Sequence, residues 1–514
     1  MARYKPYSYE QMSLVAVSFA KQILPGTFEH TLAYLIDNEF DLSVFDHRYC
    51  NDETGRPAYD PALLLKIVLY AYSRGIVSSR EIERCCRENI IFMALSAETC
   101  PHHTTIAGFV RTLQDEITAL FRNVLMICDA QGLIGREMFA IDGCKLPSNA
   151  SKSWSGTMAE LAHKKQKLET AIRRMLRAHR ECDAEEMPAE VVVREGQYIA
   201  TLRRQVRKLK AFLASHEDRP GKTRGPRKSN VTDNDSAKMK TSHGVIQGYD
   251  GLAAVDAAHQ IVVHAAAFGE AQEHELLQPV IEGVAAEFAA LGDRQVYRRA
   301  KITADSGFHT ERNVEYLYTR GIDGYVADNL MRKRDPRFAD ADRYRQRARA
   351  ERHKMQNTGR HFMPRDFRYD ARARTCHCPA GKALYRNGAH IVVNGRPAVK
   401  FTAPKSACLP CPLRSRCLHR PERTAVRQVV FFTGPMQKAP SYTSLMKRKI
   451  DSPAGKAVYN RRVATVEPVF GNLRNHGLER FTLRGRRKVD MQWKLYCMVH
   501  DLMKMHRYGT ADDR

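Results

Sequence analysis

The stretch Val458–Arg487, VYNRRVATVEPVFGNLRNHGLERFTLRGRR, places a carboxylate, Glu467, among many cations. At helical period, Gly471 and Arg474 share the face of Glu467, and Val463 and Ala464 make its near side small and apolar. A carboxylate on such a surface, with Arg461, Arg462, Arg474 and Arg480 close by, suits a site that holds a metal ion and a polyanion together. A solvated Glu in a basic helix is the plain alternative.

Two distant acids bear on the choice. In Glu137–Lys145, EMFAIDGCK, the apolar run Phe139–Ile141 reads as a buried strand that ends on Asp142, with Gly143 beginning the exit. In Ala300–His309, AKITADSGFH, Ile302 and Thr303 again read as strand, and Asp305 is followed by the turn signal Ser306–Gly307. Either acid alone has a bland explanation, the capping of the next helix. Together, two acids on strand ends and one on a late helix suit a pair of divalent cations, which are hard ions preferring oxygen ligands.

This order of strand-Asp, strand-Asp and helix-Glu, with Tyr459, Arg462 and Arg474 around the Glu, resembles the DDE transposases of bacterial insertion sequences, and more narrowly the branch with a Y-R-E-K signature. The resemblance runs over most of the chain. It departs from the signature in two places: one extra residue separates Arg462 from Glu467, and Arg474 stands where Lys is usual. The resemblance implies an α/β fold: a ribonuclease-H-like catalytic core with insertions, preceded by an all-α N-terminal domain. It implies that Asp142, Asp305 and Glu467 are catalytic and hold two Mg2+ or Mn2+ ions, with Tyr459, Arg462 and Arg474 contacting DNA. It also implies recognition of double-stranded DNA with terminal inverted repeats, capture of a target DNA, and a homodimer in the synaptic complex. The chemistry would be metal-dependent cleavage and strand transfer. The competing readings are a ribonuclease-H-like nuclease without transposition and a non-catalytic DNA-binding regulator.

Composition agrees with a polyanionic partner. Lys and Arg number 83 against 57 acids, a net charge of +26, more than solubility requires. No uninterrupted apolar run reaches spanning length, and the start, MARYKPYSYEQ, lacks the apolar core of a signal peptide. The expectation is therefore no membrane partner and a cytoplasmic, nucleoid-associated protein. Thirteen cysteines then read as reduced thiols or metal ligands.

Taken in order, residues 1–135 read as a run of short helices, either a helix-turn-helix-like DNA-binding domain, as the resemblance implies, or a purely architectural one. Asp60–Pro61 caps an apolar helix, and further helices begin near Ser79 and Thr104. The core is expected over 136–328 and 451–508. Residues 157–216 interrupt it as a charged helical hairpin. There Leu161, Leu168 and Met175 recur every seven residues, and Ile199, Leu202, Val206, Leu209 and Leu213 follow a coiled-coil seam. The hairpin is either solvent-exposed, a dimer contact or an arm on DNA. Asp233 and Asp235 read as structural. A β-hairpin over Gly248–Ala266, a helix, the Asp305 strand, a helix and a strand at Gly324–Ala327 follow in ribonuclease-H-like order.

Residues 329–450 form a basic insertion with a run of arginines suited to phosphate. Its Cys408-x-x-Cys411 has metal-knuckle spacing, and Cys378 with Cys417 would complete a tetrahedral thiolate site for structural zinc. Cys376, His377 and His419 compete for the same role, and unmetallated thiols are the alternative. The chain closes with a core helix over Val489–Tyr508.

Overall fold

The structure, a computed structural model, describes residues 17–48, 57–181, 189–221, 225–242, 244–338, 361–393, 395–434 and 441–509. Most of the arginine-dense run after Asn329, and residues 182–188 of the expected hairpin, lie outside the described residues. The chain forms two compact units, Met1–Asp328 with Ser452–Arg514, and Asn329–Asp451.

Among the described residues of the first unit six α-helices precede the sheet: α1 (Phe28–Asn38), α2 (Pro61–Ser73), α3 (Ser79–Glu88), α4 (Ile90–Leu95), α5 (His103–Thr112) and α6 (Ile117–Ala130). The start of α2 follows from its first two residues. The Asp60 carboxylate accepts from Ala62 N at 2.7 Å, and Pro61 fills the first turn, where an N–H has no helical partner anyway. Beyond that turn α2 is apolar on most sides, and residues from Leu64 to Tyr72 are largely buried.

The sheet contains β1 (Met138–Pro147), β2 (Ala237–Thr241), β3 (Gly244–Asp256), β4 (Val262–Phe268), β5 (Lys301–Ala304) and β6 (Gly324–Val326). Its order is β2-β3-β1-β5-β6, with β4 also paired to β3. β1 runs antiparallel to β3 and parallel to β5, and β5 runs parallel to β6. The expected hairpin is present as β3 and β4, each displaced or extended by a few residues.

Between β1 and β2 the chain makes the helical hairpin α7 (Met158–Glu181) and α8 (Ala189–Ser215). Leu161 packs with Leu209 and Phe212 near one end, and Ile172 with Ile199 and Leu202 further along, so the two helices run antiparallel. α8 begins ten residues before the first seam residue, Ile199, and exposes Val191, Val193 and Tyr198.

Helices α9 (Leu277–Ala290) and α10 (Glu311–Thr319) follow β4 and β5, and α11 (Pro453–Asn475) and α12 (Arg486–Tyr508) close the unit. α12 is buried along most of its length. It packs on β4 and β3 as well as on α2 and α6, so it joins the helical region to the sheet in one core. Trp493 is wholly buried, and its indole N–H donates to Leu252 O at 2.8 Å. Full burial of each such aliphatic or aromatic side chain is worth roughly 1.5–3 kcal/mol.

The second unit is built on a sheet of β7 (Arg368–Asp370), β8 (Thr375–His377), β9 (Ala383–Arg386), β10 (Ile391–Val393), β11 (Arg396–Thr402) and β12 (Gln428–Phe432), with the helix Tyr442–Asp451 after it. β11 pairs with β9, β10 and β12. Its core is small: Phe367, Leu384, Val399, Phe401, Val429, Cys376 and Cys408.

Candidate active site

Ile141 of β1 lies opposite Ala304 of β5 in the parallel register. The next residues, Asp142 and Asp305, therefore stand side by side where the parallel ladder ends; Asp305 leaves β5, but Asp142 lies midway along β1, which runs on to Pro147 paired with β3 instead of exiting at Gly143. Alternation along β1 places Asp142 and Cys144 on one face, and Gly143 and Lys145 on the other.

α11 crosses this end and contacts β1, β5 and β6. Its Arg462 is buried and reaches Asp142, Nη2 to Oδ2 at 2.6 Å, while Asp142 Oδ1 accepts from Gly143 N at 2.8 Å. Burial pushes the Asp142 carboxyl up to about 6, against the pull of Arg462, and the neighbouring charges of Asp305 and Glu273 add to the rise. Asp305 is raised as well, first by burial and then by Glu273, while Arg462, Gly307 N–H and Lys145 oppose. Asp305 Oδ1 accepts from Gly307 N at 2.8 Å. It thus does cap the short turn that follows, so the bland role and a place in an acid cluster coexist in one residue.

Two acids that the sequence reading did not single out belong to this end. Glu273 arrives on the turn before α9 and pairs with Lys145 at 2.9 Å. Asp250 of β3, opposite Lys145 in the ladder, is 0 % exposed, and no donor reaches either of its oxygens among the described residues. Burial, and next the charge of Glu273, push Asp250 well above the carboxylate range. Neither acid carried a sequence signal. Asp250 sits inside a strand, and Glu273 is one of several acids in EAQEHE.

Glu467 is placed otherwise. It is exposed on α11, and among the described residues it makes no hydrogen bond or ion pair. The reason is helical geometry: five residues on from Arg462 is roughly 140° around the helix. The position four residues on, Val466, turns inward with Val469 and Leu473. The extra residue between Arg462 and Glu467 therefore separates the two side chains. Pro468 follows within the helix and cannot donate to Ala464 O, which accepts from Gln260 Nε2 at 2.9 Å instead. Arg474 is exposed but close enough to Cys144 of β1 to lower its thiol, against the larger effects of burial and Asp250. Tyr459 is half-buried on the same helix.

Asp233 and Asp235 tie the turn before β2 to the start of α12. Tyr249 donates to Asp233 at 2.8 Å, and the backbone N–H groups of Gly485 and Arg486 donate to Asp233 and Asp235. In the second unit the cysteines gather. Burial raises the Cys417 thiol and Arg427 lowers it, and Cys408, Cys378 and Cys411 all lie near enough to raise it. Cys376 instead points into the apolar core, where burial lifts it to about 11.

Among the described residues, the group of three metal-ligating side chains whose atoms lie within 4.8 Å of one another is Glu83, His102 and His103. Glu83 there is already engaged by Arg87, by His103 N at 3.0 Å and by His103 Nδ1 at 2.8 Å, which makes the trio a clamp between α3 and α5. The carboxylates at the sheet end and the four cysteines are gathered more loosely than that.

Comparison with known families identifies two segments. Residues 17–112 match the family described as Transposase domain (DUF772), and residues 377–506 match the family described as Transposase DDE domain. The second match includes Glu467, Arg462 and the four cysteines, but begins after Asp142 and Asp305. No curated protein matches the chain. No described helix is long and apolar enough to cross a membrane.

Proposed function

We propose that this chain is a DDE transposase with a ribonuclease-H-like core that binds the terminal inverted repeats of an insertion sequence and carries out DNA cleavage and strand transfer. The observation that carries the reading is the juxtaposition of Asp142, midway along β1, with Asp305, just past the end of the parallel strand β5, beneath a helix that carries Arg462 and Glu467. Similarity to transposases in two separate segments supports it.

The residues fit divalent cations. Asp142 and Asp305 are raised by burial, and Asp250 beside them has two buried oxygens with no donor. Such a set is relieved by positive charge. Asp142 and Asp305 would hold Mg2+ or Mn2+, and Glu467, which is exposed on α11, would join them by turning in towards the strands. Bound there, the ions supply activation of water or a 3′-hydroxyl and stabilisation of the departing oxygen in an in-line phosphodiester displacement.

The chain's own contribution is positioning and charge. The strand β1 and the end of β5 hold the two Asp carboxylates, and the buried Arg462 fixes the orientation of Asp142. Arg474 and Tyr459 stand on the same helix to meet phosphate. The net charge of +26 gives salt-sensitive affinity for duplex DNA of any sequence. Recognition of the repeats is assigned to the helical region matched over 17–112, and a homodimer to the complex that pairs two ends. The cysteine cluster is assigned a structural zinc.

The experiment is paired: mobility shift on end-containing DNA, and magnesium-dependent nicking of the same duplex. Glu467→Gln keeps helix and shape, so binding persists while nicking falls by about three orders of magnitude. Nicking at the parental rate by folded Glu467→Gln removes this helix from the site.

A further inference from the structure

Glu273 belongs to a turn that is fastened onto the Asp305 turn. His274 Nδ1 bonds Gly307 O at 2.8 Å, and Asn313 Nδ2 donates to His274 O at 2.8 Å. These bonds leave the Glu273 side chain little freedom, and it is 11 % exposed. Lys145 Nζ holds Oε1 at 2.9 Å. The other oxygen, Oε2, lies over Gly307. A methyl group built on Gly307 would meet Glu273 Oε2 at 2.2 Å and Asp305 Oδ1 at 3.0 Å. The two carboxylates thus converge on one point, and a glycine is what leaves room for them.

Asp250 stands beside Glu273 and Lys145 on the same face of β1. It is 0 % exposed, meets no N–H or hydroxyl donor among the described residues, lies within hydrogen-bond reach of Glu273, and its Oδ1 is 2.9 Å from where a side chain on Gly143 would begin, on the Lys145 face of β1. A buried carboxylate without a donor is costly unless positive charge or a proton answers it. Three acids beyond Asp142, drawn from different elements, meet at the sheet end with Lys145 and Arg462 as their cations.

We propose that Glu273 is a further divalent-cation ligand at this sheet end, reaching Asp305 from the side opposite α11, with Lys145 holding it in place. The proposal rests on the reading that Asp142 and Asp305 hold the ions. It assigns a carboxylate that is already adjacent to Asp305, whereas Glu467 lies exposed on α11.

The test is titration of the purified full-length chain with Mn2+, by calorimetry and by the electron paramagnetic resonance signal of free Mn2+, without DNA. Glu273→Gln is expected to weaken Mn2+ binding by about tenfold or more. Lys145→Met, which breaks the same ion pair but leaves the carboxylate, is expected to bind at least as tightly as the parent. Parental affinity in Glu273→Gln overturns the proposal, as does equal weakening by both variants, which marks the pair as merely structural. Asp142→Asn separates the proposal from the reading beneath it. If Asp142→Asn loses Mn2+ and Glu273→Gln does not, only the Glu273 assignment fails. If Asp142→Asn also binds like the parent, or the parent binds no Mn2+, the metal reading itself fails. Should Glu273→Gln not fold, Glu273→Asp keeps the charge on a shorter arm and is expected to bind Mn2+ more weakly than the parent; unchanged affinity there overturns the assignment.

Discussion

The acid end of the central sheet and the cysteine cluster of the second unit are two gatherings of metal-ligating side chains built in opposite ways. The acids come from β1, β3, the turn before α9 and the end of β5, and strand pairing brings them together. The cysteines come largely from one short stretch, Cys408 to Cys417, with Cys378 joining from the turn after β8. In the first place charge is buried against charge, with Arg462 and Lys145 as partial relief. In the second the thiols line an apolar core, with Cys408 buried in it. Carboxylates packed in this way create a need for a cation, because their repulsion grows with burial. Thiols have no such need, since a protonated Cys is content as a small apolar side chain.

The widest separation between the two regions is expected on metal removal. With zinc in the second unit, the purified chain carries one zinc per molecule, and chelation unfolds a core too small to stand alone, a loss on the order of 10 kcal/mol. Atomic absorption with thiol titration checks this, and a zinc-free protein whose second unit stays folded would make the cysteines packing residues. At the acid end, Asp142→Asn is expected to cut magnesium-dependent nicking about a thousandfold, near 4 kcal/mol, while leaving the melting curve close to the parent's. Removing this charge relieves Asp305 and Glu273 of a repulsive neighbour, and Asp305 still faces the Arg462 cation that loses Asp142, so strong unfolding of this variant would contradict the charge argument.

Arg462→Met works the other way. It strips the buried partner from Asp142 and is expected to lower stability by about 3 kcal/mol in urea titration. Combining it with Asp142→Asn should recover much of that, since no uncompensated charge remains. The smallest effect belongs to the apolar core behind the site. His500 of α12 bonds Gln260 O at 3.0 Å, and burial lowers its imidazole to about 4 from 6.5. It stays neutral in the folded state while the unfolded chain takes a proton, so stability falls as pH drops from 6.5 towards 4. That amounts to about 2 kcal/mol by pH 5. His500→Gln should remove this slope in denaturation measured between pH 7 and 5. Asp142 opposes it: raised from 3.8 to about 6, it favours the metal-free fold at low pH and loses that contribution as pH rises through this window.

Local signals were sufficient for the elements themselves. Asp60–Pro61 before an apolar run, the short strand that ends before Asp305, the seam of α7 and α8 and the closing helix all appear within a few residues of where periodicity and capping put them, whereas the strand expected to end on Asp142 runs on to Pro147 because β3 pairs with it throughout. These features depend on neighbours at most four or so positions away, which a sequence displays directly. The knuckle Cys408-x-x-Cys411 is legible for the same reason. What depended on tertiary structure was which side chains face one another. Glu273 and Asp250 had no pattern of their own; they become part of the acid end because β3 pairs with β1 and because His274 fastens its turn to Gly307. Arg462 and Glu467, neighbours in the chain, part company through a single extra residue, which rotates one inward to Asp142 and the other to solvent. Chain spacing decides the helix, but the surface it packs against decides which of its residues reaches the buried charge.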